Sequence, residues 1–273
     1  MENFSRENRV ALLNCSDVEP DEHKACEMKL DANALNLSLE TPIFRIFEYN
    51  RFIDLIRSRQ NTLVRPMMWE DPFENILLNH TFKTRDGEEV DMSCVRDSWY
   101  GQSWTIKEQE CDGLWRVYSN NGSKRVVRVK STVRKIFEPL YDMRSMKEWQ
   151  CFIGKVEYTS EDVIVGLLEQ SQPWVSDAQN ICQTQLLLTK RVEFEYEQEV
   201  RLLYYRGLDY NNHENVYNYR IDSNSAFDEV ILDPWLPDRL VKIKQDDIFA
   251  NGYEGKVIKS KLYANIGIQT QLV

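Results

Sequence analysis

Hydrophobic and polar positions first settle into a regular pattern at Thr41. TPIFRIF alternates as a strand does, with Ile43, Arg45 and Phe47 on one face and Phe44 and Ile46 on the other. RFIDLIRSRQ changes to a helical period, with a stripe of Phe52, Leu55 and Ile56 and with Asn50 placed to cap it. TLVRPMMW reads as a short strand ending at Pro72, ENILLNHTF as a helix, and TRDGEEVDMS as a polar connection. RVVRVK, QCFIGKVEY, EYEQEVRLLYYR, VYNYRI, EVIL and GKVIKSKLY read as strands, rich in β-branched and aromatic residues. STVRKIFEPLYD, SEDVIVGLLEQ, DAQNICQTQLLLTK and LPDRLVKIKQDDIFA read as helices. Ser160 opens the second of these and Gly252 closes the last. Helices intervene irregularly, and late strands are joined by short polar turns such as GLDYNNHE. The pattern predicts an α+β fold of mixed, largely antiparallel sheets with flanking helices.

Residues 1–40 differ from the rest. CSDVEPDEHKACEMKLDANALNLS is polar and acidic, and it reads as an N-terminal arm, loosely attached or contacting a partner. The alternative is a short helix packed on the main domain, which spans 41–273.

Composition narrows the classes. Hydrophobic residues make up 42% of the 273 and charged residues 29%, an ordinary globular balance able to bury a sizeable core. No apolar stretch has the length of a bilayer span, and MENFSRENRV lacks the basic start and apolar block of a signal peptide. A cytoplasmic protein without membrane attachment is expected. The six cysteines are scattered with no CxxC pair, and there are only three histidines, so no metal site is expected and the thiols are reduced. The phosphate loop GxxxxGKS/T, GxGxxG after a strand, GxSxG and HExxH are all missing. His23, His80 and His213 stand apart among polar neighbours, which argues against a serine hydrolase.

A net charge of −10 opposes coating of duplex nucleic acid by bulk electrostatics but leaves room for a local basic groove. SKRVVRVKSTVRK holds Lys124, Arg125, Arg128, Lys130, Arg134 and Lys135. Arg128 and Lys130 alternate with Val127 and Val129, so one strand face is expected to be cationic. That face is either solvated or a track for a single-stranded RNA acceptor.

Three segments carry candidate chemistry. In EFEYEQEVRLLYY, a strand directs Glu193, Glu195, Glu197 and Glu199 to one side. The strand then turns apolar, which sets Glu197 and Glu199 at a rim. Either the acidic row is used, or it guards an edge strand against aggregation. Arg45 interrupts an apolar strand and needs an anion, which is one of the chain's own carboxylates or a phosphate gripped by its fork. In WYGQSWT, Gly101 allows close approach and Ser103 and Thr105 face one side. Trp99, Tyr100 and Trp104 form either a stacking platform or an aromatic core strand. Pro72 and Asp71 make WEDPFEN a strand-to-helix corner, with Asp71 capping the helix from Phe73; it also lies where Trp69 or Glu74 could meet an adenosine.

Taken together, Arg45 in IFRIF, Ser103 and Thr105 in QSWT, and Glu197 and Glu199 in EQEV resemble the ADP-ribosyltransferase superfamily. That superfamily carries an Arg strand, a Ser-x-Ser/Thr strand and a late Glu/Gln-x-Glu. Trp104 stands where its middle strand usually has a small residue. FRIF, LVRPMMWEDPFEN, WYGQSWT and YEQEVRL also resemble a bacterial domain family with a W-x-D-P-F-E signature, over about residues 43–262. The resemblance implies an NAD-dependent transferase in which NAD is a substrate and no metal is needed. Glu199 would face the ribose, Ser103 would hold that carboxylate, and Glu197 would reach the acceptor. Arg45, Ser103, Thr105, Tyr100 and Trp104 would contact NAD. The acceptor would be an RNA nucleobase or a protein arginine, and the protein a bacterial toxin of a toxin-antitoxin or antiphage defence system, held by an antitoxin. Two rivals remain: an NAD glycohydrolase using the same residues, and a non-catalytic interaction protein with an acidic binding face.

Overall fold

The computed structural model describes residues 22–69, 82–83, 86–90, 93–141, 150–169, 180–208 and 213–264. The ten strands of its main sheet are β1 (Ala34–Leu35), β2 (Pro42–Glu48), β3 (Gln60–Val64), β4 (Trp99–Thr105), β5 (Val126–Thr132), β6 (Cys151–Lys155), β7 (Glu199–Tyr205), β8 (Val216–Arg220), β9 (Glu229–Leu232) and β10 (Lys256–Lys259). Their spatial order is β1-β6-β7-β4-β2-β5-β9-β10, with β3 bonded to β4 and β8 to β3. Among the described pairings of this sheet, only β1·β6 and β9·β10 are parallel. The fold is therefore α+β with a mixed, largely antiparallel sheet, as the hydrophobic pattern predicts.

Seven helices of at least seven residues flank the described sheet: α1 (Glu22–Ala32), α2 (Tyr49–Ser58), α3 (Asp112–Tyr118), α4 (Val133–Tyr141), α5 (Glu161–Glu169), α6 (Ile181–Leu187) and α7 (Asp238–Ala250). Helix α2 buries Phe52, Leu55 and Ile56 together with Tyr49 and Ile53. It starts two residues earlier than expected, so Asn50 lies inside it rather than capping it. The Tyr49 hydroxyl donates to Asp247 Oδ2 at 2.7 Å and ties α2 to α7.

Three features go beyond what the hydrophobic pattern specifies. Residues 22–40 are built into the body: α1 leads into β1, which pairs with β6, and Leu30, Ala34, Leu35 and Leu39 are buried. Apolar side chains spaced along that polar stretch find the sheet edge. Residues 1–21 lie outside the described residues, as do most of WEDPFEN and all of the helix expected over 74–82 except Phe82, which lies in the short strand Phe82–Lys83. Second, the glutamate-rich run is not a strand throughout. Val192–Glu197 is a 3-10 helix, Gln198 turns with φ 46°, and β7 begins at Glu199. A row of like charges on one strand face repels, and the turn disperses it.

Third, the sheet is split beside β4. β2 touches β4 only at Phe44↔Thr105, and β3 touches it only at Val64↔Gly101. Between these points side chains bridge the gap. Gln102 Nε2 donates to Asn61 Oδ1 and Thr62 O, and an Arg45 nitrogen donates to Ser103 O.

Candidate active site

The split ends in a narrow cavity, with about 20 Å³ open to a water-sized sphere, lined by Arg45, Ser103, Thr105, Glu197 and Glu199, with Trp104, Tyr118 and Arg128. Register explains how residues so far apart in sequence meet. In the β4·β7 ladder Glu199 lies opposite Thr105 and Arg201 opposite Ser103, so these four share a face. Arg45 comes in from β2 across the split.

Glu199 is only 3% exposed. Its Oε1 accepts from Arg201 Nε at 2.9 Å, and its Oε2 accepts from Arg201 Nη2 at 3.0 Å and Lys190 Nζ at 3.3 Å. The Ser103 hydroxyl is a further hydrogen-bonding partner. Burial pushes this carboxyl up, but the Arg201 charge and hydrogen bonds, the Lys190 charge and Ser103 outweigh it and bring the pKa to about 2. The group is a fixed anion at neutral pH. Arg201 is 0% exposed, spends Nη1 on Leu187 O at 2.6 Å, and sits 4.5 Å from the Trp69 ring centroid.

Arg45 is less complete. One nitrogen reaches Ser103 O, the guanidinium lies 4.9 Å from the Phe47 ring centroid, and Nε is buried without a hydrogen-bond partner. Burial lowers its pKa, while Tyr118, Glu199 and Tyr219 oppose that. Tyr118, at the end of α3, lines the cavity and is 41% exposed. Burial pushes its hydroxyl up to about 12, and Arg45, Glu199, Glu197 and Lys190 all act on it, so that end reaches into the site.

Other expected residues hold the walls. The Thr105 hydroxyl donates to Glu197 O at 2.6 Å and fixes the turn before β7. Trp104 borders the cavity but is buried, with its Nε1 on Gln102 Oε1 at 2.8 Å. Tyr100 lies on the opposite face of β4, its hydroxyl donating to Glu214 O at 3.0 Å, and Trp99 packs against Phe152 and Tyr205. None of these three rings presents a flat face for a ligand, because Trp99 and Tyr100 are fully buried and Trp104 nearly so. Gly101 does permit a close approach, but the group that uses it is the Trp69 indole: a Cβ there would lie 2.6 Å from it. Trp69 thus braces Arg201 and the hydrophobic layer of Trp99 and Leu203 rather than meeting a ligand.

The cationic strand face is also revised. Arg128 is buried 4.0 Å from the Phe44 ring centroid and donates to Lys107 O and Glu108 O at 2.7 and 2.8 Å. Lys124, Arg125, Arg134 and Lys135 pair with Glu48, Asp233, Glu27 with Glu40, and Asp228. In a chain of net charge −10, carboxylates claim most of the run. Lys130 stays beside Phe44, outside the cavity lining.

Lys190, Arg201 and Tyr118 were not singled out by the sequence. Arg201 carried the same signal as Arg45, a cation within an apolar strand. Among the described residues no cluster of His, Cys, Asp and Glu suits a metal, Cys111, Cys151 and Cys182 are free thiols, and no helix is long and apolar enough to cross a membrane.

No family model matches the chain, and no curated protein matches it. Solved structures that resemble it include Thermus sp. 2.9 DarT in complex with carba-NAD+ (10% identity, 82% of this chain and 98% of that one, TM-score 0.35) and with NAD+ (11%, 83% and 98%, 0.35). A third is the same protein in complex with ADP-ribosylated ssDNA (10%, 81% and 95%, 0.37). Likeness at this TM-score transfers no residue role.

Proposed function

We propose that this chain is an NAD-dependent ADP-ribosyltransferase acting on a macromolecular acceptor. The observation that carries the reading is the convergence of Arg45, Ser103 and Glu199 from separate strands on one cavity, with a buried Arg45 Nε left unpartnered. A buried donor without a partner is costly unless a ligand completes it, and a diphosphate is a suitable acceptor for a guanidinium. That open donor is also the fit test for NAD as substrate.

In this reading the bond between the ribose C1′ and nicotinamide breaks, and nicotinamide leaves neutral with the bonding pair. Positive charge develops on the ribose. The permanently ionised Glu199, steadied by Ser103 and Arg201, stabilises that charge through the ribose hydroxyl. Arg45 orients the phosphates or the adjoining ribose. The acceptor then forms its bond to C1′ and gives up a proton to Glu197, which lies nearer solvent than Glu199. Tyr118 would close the cavity over the reacting groups.

The surroundings favour a cationic protein side chain over a polyanion as acceptor. Glu193 and Glu195 stand exposed on the turn leading to the site, and the basic run is occupied by carboxylates. Free thiols suit a reducing cytoplasm, where NAD consumption would arrest growth until an antitoxin intervened. The test is incubation of the full chain with NAD labelled on the adenylate phosphate, following nicotinamide release and label in protein and nucleic acid separately. Release with label in protein supports the reading. Release with no label in any macromolecule makes it a glycohydrolase, and no release sinks it.

A further inference from the structure

The carboxylates of Glu197 and Glu199 share a cation that the proposed chemistry leaves unused. Lys190 lies on the short strand Thr189–Arg191, parallel to Glu157–Thr159, and its side chain is 8% exposed. Its Nζ donates to Glu197 Oε2 at 2.7 Å and to Glu199 Oε2 at 3.3 Å. Two contacts from Arg201 and one from Ser103 complete the set around Glu199. A carboxylate has about four acceptor positions, so a ribose hydroxyl approaching Glu199 has to displace one of these partners.

Arg201 is the wrong one to yield. It is fully buried, bidentate, tied to Leu187 O and braced by Trp69. Lys190 holds Glu199 by the longest of the measured bonds, on a flexible four-carbon stem, with Glu197 as a second and closer partner.

We propose that Lys190 is a positioning residue. It bridges the two glutamates before substrate binds, then cedes the Glu199 oxygen to the ribose hydroxyl while staying on Glu197. The exchange breaks one N–H···O hydrogen bond, forms one O–H···O hydrogen bond and moves no proton. It rests on the NAD reading above and adds a residue to it. The other groups acting on the pair are Arg201, Arg45, Tyr118, Tyr158 and Tyr196. The arginines stay charged and the tyrosines neutral across the acid range.

The test compares Lys190→Met and Lys190→Arg with the parent full-length chain by two readouts: nicotinamide release against pH, and the 13C carboxyl resonances of Glu197 and Glu199 against pH. Loss of a cation beside a carboxylate raises its pKa, so Lys190→Met is expected to move the acid limb of kcat upward by roughly 1–2 pH units. Lys190→Arg keeps the charge and should return the limb to its place, with a lower kcat because a rigid fork cedes the oxygen less readily. Thermal melts give the folded fraction for normalisation. If the normalised Lys190→Met profile superimposes on the parent's, the proposal is overturned. If the parent releases no nicotinamide, the NAD reading falls by itself, and the carboxyl titrations still decide the bridge. An upward shift in Lys190→Met supports it, and unchanged titrations overturn it.

Discussion

Arg45 and Arg201 both interrupt apolar strands, FRIF and EVRLL, and they finish in different states. Arg201 is saturated: two nitrogens hold Glu199, a third holds Leu187 O, and an indole covers its face. Arg45 has a backbone carbonyl, an aromatic ring and one nitrogen with no partner, at the wall of a cavity. Burying a cation is costly in both places. Where the protein itself completes the hydrogen bonds, the cation serves the fold; where it stops short at a cavity wall, it leaves the donor that the proposed ligand would complete.

Removing Arg201 should have the largest effect on that contrast. Arg201→Ala leaves Glu199 buried with its bidentate partner gone and should lower unfolding free energy by roughly 3–5 kcal/mol in denaturant titrations. A loss below about 1 kcal/mol would erase the distinction between the two arginines. Next comes Glu199→Gln, which keeps shape and removes charge. Nicotinamide release should drop on the order of 10²–10³-fold in steady-state assays, and growth inhibition on expression in a bacterial host should be relieved. Arg45→Ala should do the reverse of Arg201→Ala. NAD affinity measured by calorimetry should weaken roughly 10–100-fold, the scale of one charge-assisted hydrogen bond, while the melting temperature changes little. If instead the fold collapses and the folded fraction binds NAD as before, Arg45 is an ion-pair partner like Arg201.

A smaller effect lies in acid. The Glu199 pKa of about 2 is below its unfolded value of about 4.3. Its contribution to stability is therefore complete above about pH 4.3 and lost as pH falls towards 2. Unfolding free energy measured through that window should decline more steeply for the parent chain than for Glu199→Gln. Equal slopes would mean that Glu199 is not held ionised by Arg201 and Lys190.

How much of this was legible in the sequence follows from the range of each signal. Strand alternation in TPIFRIF, WYGQSWT and EVRLLYY and the helical stripe of Phe52, Leu55 and Ile56 are local, and each appears in the structure. Arg45, Ser103, Thr105, Glu197 and Glu199 were singled out before any contact was visible, and they line one cavity. Tyr100 was misassigned because alternation tells which residues share a face but not which face is packed. The acidic row failed because EFEYEQE has the composition of a strand, whereas the repulsion between its carboxylates and the left-handed turn at Gln198 depend on what lies next to them.

By itself the sequence determined the elements, the mixed antiparallel class and the rarity of cations within apolar strands, since period and burial preference act over a few residues. Only the tertiary structure decided which charges meet. Arg45 and Ser103 are 58 residues apart, and Lys190 lies on a different strand from the Glu199 it bridges. Coulombic and hydrogen-bond partnerships of this kind are set by strand order and register, and the same alternating pattern is compatible with many of each.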